Sequence, residues 1–520
     1  MIPMSGHLIP LFLAAYILMC SPLINASLKL RSRVHWQAQQ AQAMRNFASR
    51  ASATSISRAV RSNNITFSNP RASDFFVDGK SIPEMNFDIG PSYAGLLPIN
   101  NATDETRQLF FWFFPPGPLG SADDLIFWTN GGPGCSSLEG TLQENGPFSW
   151  SWGRAKPSIN EFSWTNLSSV LYVEQPVGTG FSQGVPNIKN EEDLAVQVIG
   201  FMQQFLEVFS ELKEKNLYLT GESYAGMYVP YIANHIYSHP GELALNLKGI
   251  WVNDGSIGED SVLMDMPTVN FVNKYKSVFN LNSSFMAHLN SRGAACGYTD
   301  YSAQHVKYPP SKRILPLPGN AIEAVEGCDL QSQIFAAALE VNPAFDIYRI
   351  FDQYPVAFDP LGFPGSFAEV EISPVYFDRE DVKKAIHAPL NVTWTECSEN
   401  SVFAGPDGQD QSAPSYTVLP NVIEKSERTV LVHGLADFLI MAEGTRAVIQ
   451  NITWNGKQGF QTPIQDESFI VPGMGVMGNM HFERGLAYYE VALSGHMVAQ
   501  FSPKAAFHIM EYLLGFRENP

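Results

Sequence analysis

The chain has 520 residues, 45% hydrophobic and 16% charged, which is enough to bury a large core in one domain or in a domain with insertions. Its formal net charge of -18 argues against nucleic acid as a partner, because an acidic surface repels phosphate. An acidic surface also loses charge as the pH falls, so the composition suits work in acidic surroundings.

The N-terminal region has the features of a secretory signal peptide. Residues 8–20 form an apolar run too short to span a bilayer, and small residues around Ala26 offer a cleavage site. A buried N-terminal helix is the alternative. Residues 27–73 carry bases but no acids, and they could be a propeptide or a surface arm. With no later spanning segment or anchor tail, we expect a protein of the secretory pathway, extracellular or vacuolar, with no stable membrane anchor.

Sequons and cysteines fit the same compartment. Six Asn-x-Ser/Thr sequons follow the signal peptide and are predicted glycosylation sites: Asn64, Asn101, Asn166, Asn282, Asn391 and Asn451. Four cysteines remain without Cys20: Cys135, Cys296, Cys328 and Cys397. An even number predicts two disulfides, with three pairings open and buried free thiols as the alternative. Since no Cys/His cluster has metal-ligand spacing, we expect no metal.

Two predicted strands, residues 109–114 and 125–128, come before a glycine-rich loop. The loop at 129–137 reads Thr-Asn-Gly-Gly-Pro-Gly-Cys-Ser-Ser. Three glycines in four positions let a backbone approach a ligand and aim its amides at it, although a generic glycine-rich turn is the alternative. The loop matches neither a Walker loop nor a dinucleotide fingerprint, and we expect no cofactor.

Residues 217–226, Leu-Tyr-Leu-Thr-Gly-Glu-Ser-Tyr-Ala-Gly, have the pattern of a nucleophile elbow. A buried strand is predicted at 217–219 and a helix from residue 227 to about residue 237. The sharp turn between them would crowd the backbone of Ser223, so Gly221 and Ala225 must be small. An ordinary Gly/Ser turn before a helix is the alternative, because Ala225 stands where the strict motif has a second glycine.

Strands and helices alternate over much of the chain. Further strands are predicted at 170–173, 247–252, 429–433 and 486–492, and helices at 191–212 and 502–516, the last with Ser502 as its N-cap. This order indicates an α/β fold with a central, mostly parallel sheet flanked by helices. The alternation stops between 258 and 374, which we interpret as an inserted cap over the carboxyl edge of the sheet.

The chain therefore divides into five predicted segments. These are a signal peptide (1–26), a basic segment (27–73), the first part of the core (74–257), the inserted cap (258–374) and the second part of the core (375–520).

A catalytic triad is the strongest functional prediction. A serine attacks well only if a base takes its proton and a carboxylate orients that base. Ser223, Asp437 and His496 occur in the chain order of α/β-hydrolases, and each leaves a predicted strand. The competing histidines are His433, inside a strand, and His481, which we expect in a loop between strands.

Four motifs together resemble the serine carboxypeptidase family. They are Asn130-Gly-Gly-Pro-Gly-Cys-Ser-Ser137, Gln175-Pro-Val-Gly-Thr-Gly-Phe-Ser182, Gly221-Glu-Ser-Tyr-Ala-Gly226 and Gly495-His-Met-Val498. The resemblance runs from about residue 93 to residue 516. It is to the secreted or vacuolar, fungal-like members of the family. It implies an α/β-hydrolase fold with a largely helical insertion, and removal of single residues from the C-termini of peptides and proteins.

The resemblance also implies roles for individual residues. Ser223 would be the nucleophile that forms an acyl-enzyme, His496 the base and then the acid, and Asp437 the orienting carboxylate. The amides of Gly132 and Tyr224 would form the oxyanion hole. Four residues would grip the C-terminal carboxylate of the substrate: Asn130, Gly131, Glu144 and Glu222. The implied disulfides are Cys135 with Cys397 and Cys296 with Cys328.

The two glutamates at the carboxylate grip imply a pH dependence. Ionised, they would repel the carboxylate of a peptide, whereas shared protons would turn repulsion into short hydrogen bonds. We therefore expect peptidase activity at acidic pH that falls as the pH rises. Ester hydrolysis should persist to higher pH.

The sequence departs from the family pattern near two of these positions. The loop before the catalytic acid usually reads Gly-Asp-x-Asp, and here Leu435 replaces the first aspartate, which removes a neighbouring carboxylate. Glu139 falls in the segment that lines the leaving-residue pocket in relatives, where apolar residues are common. One hypothesis is that Glu139 favours a basic C-terminal residue.

Two other functions compete with peptide hydrolysis. An acyltransferase or another secreted serine hydrolase, such as an esterase, could use the same scaffold and triad. A non-catalytic secreted binding protein is the third reading, and the intact triad argues against it. The sequence does not give the oligomeric state.

Overall fold

The computed structural model describes residues 65–311, 327–354, 359–362 and 375–520. All of them belong to one compact unit, Arg61–Pro520. The predicted signal peptide, the sequon at Asn64, most of the basic segment and parts of the predicted cap lie outside the described residues.

The strands are numbered in chain order. They are β1 Phe76–Val77, β2 Ser92–Pro98, β3 Gln108–Phe114, β4 Ser121–Thr129, β5 Phe148–Ser149, β6 Ser158–Ile159, β7 Ser168–Glu174, β8 Asn216–Glu222, β9 Asn246–Asn253, β10 Arg428–Gly434, β11 Thr453–Trp454, β12 Lys457–Gln458, β13 Gln465–Val471, β14 Gly475–Glu483 and β15 Leu486–Val491.

The α-helices are numbered in the same way. They are α1 Glu191–Val208, α2 Ala225–Ser238, α3 Met266–Lys274, α4 Lys276–Phe279, α5 Ser283–Ala295, α6 Tyr298–His305, α7 Leu330–Val341, α8 Glu380–Ala385, α9 Leu419–Lys425, α10 Ala442–Asn451, α11 Val498–Phe501 and α12 Pro503–Leu513. None of these helices combines the length and the apolarity needed to cross a membrane.

Eleven strands form one sheet in the order β1-β2-β3-β7-β4-β8-β9-β10-β15-β14-β13. The six central strands, from β7 to β15, are parallel to one another, and antiparallel strands extend the sheet at both edges. Parallel strands present their carboxyl ends at one edge, where α/β folds bind ligands. The loops after β4, β8, β9, β10 and β15 therefore leave the same edge.

The aromatic strand β3 shows how the sheet divides the core. Phe111 and Phe113 pack into one apolar cluster with helix α1, whereas Phe110, Trp112 and Phe114 pack into a second cluster. Successive side chains of a strand point to opposite faces, so a continuous apolar run predicts burial on both sides. All five side chains are buried.

Most predicted elements are present; nearly all the strands extend beyond their predicted ends, whereas helices α1 and α12 end earlier than predicted. Helix α1 begins after Asn190, whose side chain accepts from the Asp193 amide at 2.8 Å, and it buries the apolar face predicted from the sequence. The closing helix α12 ends at Leu513 rather than residue 516. Ser502 stands at its N-cap as predicted, although its side chain makes no capping hydrogen bond.

The antiparallel hairpin of β13 and β14 was not predicted, and the expectation that His481 lies in a loop is wrong. His481 is in β14 and pairs opposite Tyr488 of β15. Only scattered residues of the hairpin are buried, so its sequence carries little of the alternation that marks a half-buried strand.

Helices α3 to α7 lie between β9 and β10, within the residues expected to form the cap. The Tyr275 hydroxyl donates to the Leu435 carbonyl at 3.0 Å. The Gln331 amide donates to the carbonyls of Phe438 at 2.7 Å and Leu439 at 2.6 Å. These helices therefore contact the loop that carries Asp437.

Candidate active site

Ser223 sits at a sharp turn between β8 and α2. Its φ of 61° is unusual for a residue with a side chain and matches the crowded backbone expected of a nucleophile elbow. The Ser223 amide donates to the Asn253 carbonyl at 2.9 Å, and its carbonyl accepts from the amides of Gly226 and Ser256, both at 2.9 Å. Bonds on both sides of the residue hold this strained conformation.

The small residues around Ser223 have a steric cause. A side chain at Gly221 would bring its Cβ within 2.5 Å of the Thr129 carbonyl oxygen and 2.6 Å of the Ala225 Cβ. A methyl group at position 225 is therefore accommodated only because position 221 has none. This explains how the elbow forms with alanine in place of the second glycine.

His496 and Asp437 form the other half of the predicted triad. His496 Nδ1 lies 2.7 Å from Asp437 Oδ2, and both side chains are almost completely buried. Asp437 Oδ1 accepts from the amides of Leu439 at 2.8 Å and Ile440 at 3.3 Å. These bonds fix the carboxylate so that it orients the imidazole.

Ser223 and His496 line the same cavity of about 120 Å³. His496 Nε2 has no hydrogen-bond partner among the described residues, so the bond from the Ser223 hydroxyl is not formed in this state. Catalytic hydrogen bonds are often long without substrate and tighten in the reacting complex. His496 and Ser223 thus border one cavity, and Nε2 is left without a partner in the part of the chain that the structure describes.

The glycine-rich loop after β4 packs directly on the elbow. A Cβ at Gly131 would collide with the Tyr224 amide nitrogen and would lie 2.8 Å from the Ser223 Cβ. Gly132 has a φ of 113°, a conformation that favours glycine. Within the described part of the chain, the amides of Gly132 and Tyr224 donate no hydrogen bond to other groups. Both remain able to serve a ligand beside Ser223.

A cluster of carboxyl groups surrounds Asn130. The Asn130 side-chain oxygen accepts from Trp128 Nε1 at 2.7 Å, which turns the amide nitrogen toward the acids. That nitrogen lies 3.0 Å from Glu222, 3.2 Å from Glu139 and 3.4 Å from Glu144. Asn130, Glu139 and Glu222 line the cavity, and Glu144 lies behind them.

These carboxyl groups hold protons more tightly than exposed ones. Burial, followed by repulsion from Glu144 and Glu139, raises the pKa of Glu222 well above its usual value. Burial raises the pKa of Glu144 to about 7. The pKa of Glu139 is also raised well above its usual value, first by burial and then by Glu396. The cluster is therefore protonated at acidic pH and can donate hydrogen bonds.

Asp254 is a functional candidate that the sequence did not reveal. It follows β9, is completely buried and lies within 4.8 Å of the carboxylate of Asp437. Burial and the neighbouring Asp437 raise its pKa well above the usual value, which favours the protonated form of Asp254. Its oxygens accept from the Gly434 amide at 2.9 and 3.2 Å. Asp254 thereby supplies a carboxyl group next to the catalytic acid although position 435 is leucine.

His433 is not part of the cavity wall. It is completely buried, with Nε2 2.7 Å from the Ile440 carbonyl and Nδ1 3.2 Å from the Thr445 hydroxyl. It helps to hold the loop that carries Asp437.

Two disulfides join the pairs Cys135–Cys397 and Cys296–Cys328. The first ties the glycine-rich loop to the segment after α8, and two backbone bonds strengthen this link. The Ser136 amide donates to the Glu396 carbonyl at 2.7 Å, and the Ser398 amide donates to the Gly134 carbonyl at 2.9 Å. The glycine-rich loop is thus held by the disulfide and by both of these backbone bonds.

The described sequons differ in exposure. Asn101, Asn166, Asn282 and Asn391 are exposed, whereas Asn451 is partly buried. Among the described residues, three groups of side chains are close enough to hold a metal ion: His235, His239 and Glu242; Asp254, His433 and Asp437; and Glu139, Glu144 and Glu222. The second and third are the hydrogen-bonded groups described above, and the absence of a metal stays a prediction.

Comparison with known proteins places this geometry in context. A family model described as serine carboxypeptidase matches residues 83–515. A probable serine carboxypeptidase of Arthroderma benhamiae is 44% identical over 469 residues, which cover 86% of this chain and 87% of the relative. Serine-type carboxypeptidase F of Aspergillus niger is 41% identical over 526 residues, covering 95% and 96%.

The fold has a solved counterpart. The crystal structure of Kex1, a prohormone-processing carboxypeptidase from Saccharomyces cerevisiae, superposes with a TM-score of 0.68 at 23% identity. The match covers 86% of this chain and 96% of that structure. It confirms the predicted α/β-hydrolase fold.

Proposed function

This chain belongs to the serine carboxypeptidase family and is a serine-type carboxypeptidase, and we propose that Ser223, His496 and Asp437 carry its peptide hydrolysis. The Ser223 hydroxyl attacks the carbonyl carbon of the last peptide bond while His496 Nε2 takes its proton. Asp437, fixed by two backbone amides, stabilises the imidazolium that forms.

The remaining steps use the groups around the cavity. The amides of Gly132 and Tyr224 bind the negative oxygen of the tetrahedral intermediate, a role commonly worth about 3 kcal/mol for each donor. His496 then gives its proton to the leaving amine, and the last residue departs. Water, activated by the same imidazole, hydrolyses the acyl-enzyme on Ser223.

The observation that carries the choice of substrate is the acid cluster beside Ser223. A buried amide and protonated carboxyl groups form a donor-rich wall of the cavity. Such a wall suits a carboxylate, because hydrogen bonds to an ionised acceptor are short and strong. We assign the grip on the C-terminal carboxylate of the substrate to Asn130, Gly131, Glu144 and Glu222.

A comparison of matched substrates tests this proposal. A blocked dipeptide with a free C-terminal carboxylate should be hydrolysed at acidic pH, and the same dipeptide ending in a carboxamide should be a far poorer substrate. The Ser223→Ala variant should lose the activity on both. Equal kcat/KM for the two substrates would contradict the carboxylate grip, and residual activity of Ser223→Ala at the wild-type level would contradict the nucleophile.

We further propose that the protein matures in the secretory pathway and ends in the vacuole or the exterior. Its two disulfides fit an oxidising compartment. The described sequons would carry glycans, and residues 258–374 would form a cap inserted into the core. A mass loss on N-glycosidase treatment of the native protein tests whether the sequons carry glycans, and an unchanged mass would contradict this.

A further inference from the structure

A second group of acids lies along the cavity, next to the proposed carboxylate grip. Glu139 and Glu396 both line it, together with Ser223 and Tyr348. They reach the cavity from different segments that the Cys135–Cys397 disulfide and the bond from Ser136 to Glu396 hold together. Asp359 acts electrostatically on both glutamates.

Glu396 has an oxygen that the protein itself does not use. The residue is only 8% exposed, and its Oε2 has no hydrogen-bond partner among the described residues. A buried carboxyl oxygen without a partner is costly, because its desolvation is not compensated. Since Glu396 lines the substrate cavity, a bound ligand can supply the missing donor.

We propose that Glu139 and Glu396 bind the ammonium or guanidinium group of a basic C-terminal residue and so make this carboxypeptidase selective for lysine and arginine. The inference rests on the proposed function: with the scissile carbonyl at Ser223 and the carboxylate at Asn130, the leaving residue lies between them. Its side chain then has this cavity wall as its neighbour.

The preference for a basic C-terminal residue should change with pH, because charged and titratable groups surround Glu139 and Glu396. Glu139 faces Glu396, Glu144 and Asp359, while Tyr348 and His496 face the same cavity. Burial raises the pKa of both glutamates well above the usual value. At acidic pH the pair is neutral and attracts a cation weakly. As the pH rises the carboxyl groups ionise, so the preference for a cation grows while peptidase activity as a whole declines.

Arginine and citrulline provide a matched pair of leaving residues, because they have nearly the same shape and only arginine is charged. Two blocked dipeptides that differ only in this residue would be assayed with the full-length enzyme from about pH 4 to about pH 8. The ratio of their kcat/KM values should favour arginine and should increase by about tenfold or more over this range, the size expected for one charge-assisted hydrogen bond. A ratio near one at every pH would overturn the proposal.

Variants separate the pocket from general charge effects. Glu396→Gln should bring the arginine-to-citrulline ratio close to one and flatten its pH dependence. Glu399→Gln removes an exposed acid three residues along the same segment and should keep the wild-type ratio. A Glu396→Gln enzyme with the wild-type ratio would contradict the assignment.

The two proposals fail in different ways. If Glu396→Gln does not fold, the pH series of the wild-type ratio still decides the question. Loss of the carboxylate grip would appear as equal hydrolysis of acid and carboxamide substrates. Loss of the cation pocket would appear as equal release of arginine and citrulline by an enzyme that still needs the carboxylate.

Discussion

The side-chain amide of Asn130 donates to the carboxyl group of Glu222 across 3.0 Å, on the wall of the cavity that holds Ser223. The bond joins the loop after β4 to the residue directly before the nucleophile. It holds Asn130 and Ser223, the proposed carboxylate-binding group and the proposed nucleophile, close together, since both follow adjacent parallel strands. In the proposed mechanism this arrangement sets the distance between the scissile bond and the C-terminal carboxylate of the substrate.

The first prediction concerns the pH dependence of peptides and esters. Below their raised pKa values Glu222 and Glu144 are protonated, so Glu222 can donate to the substrate carboxylate and Glu144, behind it, adds no negative charge. Above them they ionise and repel it, and the pKa of about 7 for Glu144 places the ionisation of that residue near neutral pH. The kcat/KM for a blocked dipeptide should fall as the pH rises toward 7. An ester substrate without that carboxylate should keep its activity, and superimposable pH profiles would refute the role.

The second prediction uses Glu144→Gln. The amide oxygen can still accept from Asn130, and the amide group stays a hydrogen-bond donor at every pH. We expect peptidase activity at acidic pH to drop by about tenfold, because a neutral amide donates less strongly than a carboxylic acid. Relative to its own maximum, activity near neutral pH should decline less than in the wild type. A variant with the full alkaline decline would show that Glu144 does not contribute to it.

Asp254 gives a third prediction, based on a pair of substitutions. If Asp254 holds a proton beside Asp437, asparagine can replace it as both donor and acceptor, whereas alanine cannot. Asp254→Asn should keep kcat within a few-fold of the wild type. Asp254→Ala should lose about tenfold or more, since a small displacement of a catalytic group is costly. An equal loss of kcat in the two variants would mean that Asp254 is ionised or that it acts only through its volume.

The two disulfides provide a fourth prediction with an internal control. Cys135–Cys397 holds the oxyanion loop, whereas Cys296–Cys328 lies among the helices between β9 and β10. Replacing either pair by serine should lower the free energy of unfolding by about 2–5 kcal/mol. Only the Cys135→Ser, Cys397→Ser variant should also lose most of kcat while still folded. Equal kcat in the two folded double variants would contradict the positioning role.

Local sequence was sufficient for the elements that carry the triad. Each of these elements is encoded within about ten residues, and short local patterns of this kind predict strands and turns. They are the elbow, the glycine-rich loop and the strands before Asp437 and His496. The parallel strands then bring them to one edge. As predicted from the chain order, Ser223, Asp437 and His496 each follow a strand of the parallel part of the sheet.

Features set by contacts between distant segments were harder to predict. Asp254 belongs to the sequence Asn-Asp-Gly, which predicts a turn. Only the packing of β9 beside β10 brings Asp254 close to Asp437. Glu396 reaches the cavity through a segment that lies far from Glu139 in sequence. The β13–β14 hairpin is mostly exposed, so no apolar alternation marked it. In each case the information lies in tertiary structure rather than in a local pattern.

Covalent labelling of the nucleophile tests the central claim most directly. A fluorophosphonate should form one stable adduct with the wild-type enzyme, and peptide mapping by mass spectrometry should locate it on Ser223. The His496→Ala variant should label far more slowly, because the base that activates the hydroxyl is gone. An adduct on another residue, or labelling of His496→Ala at the wild-type rate, would contradict the account.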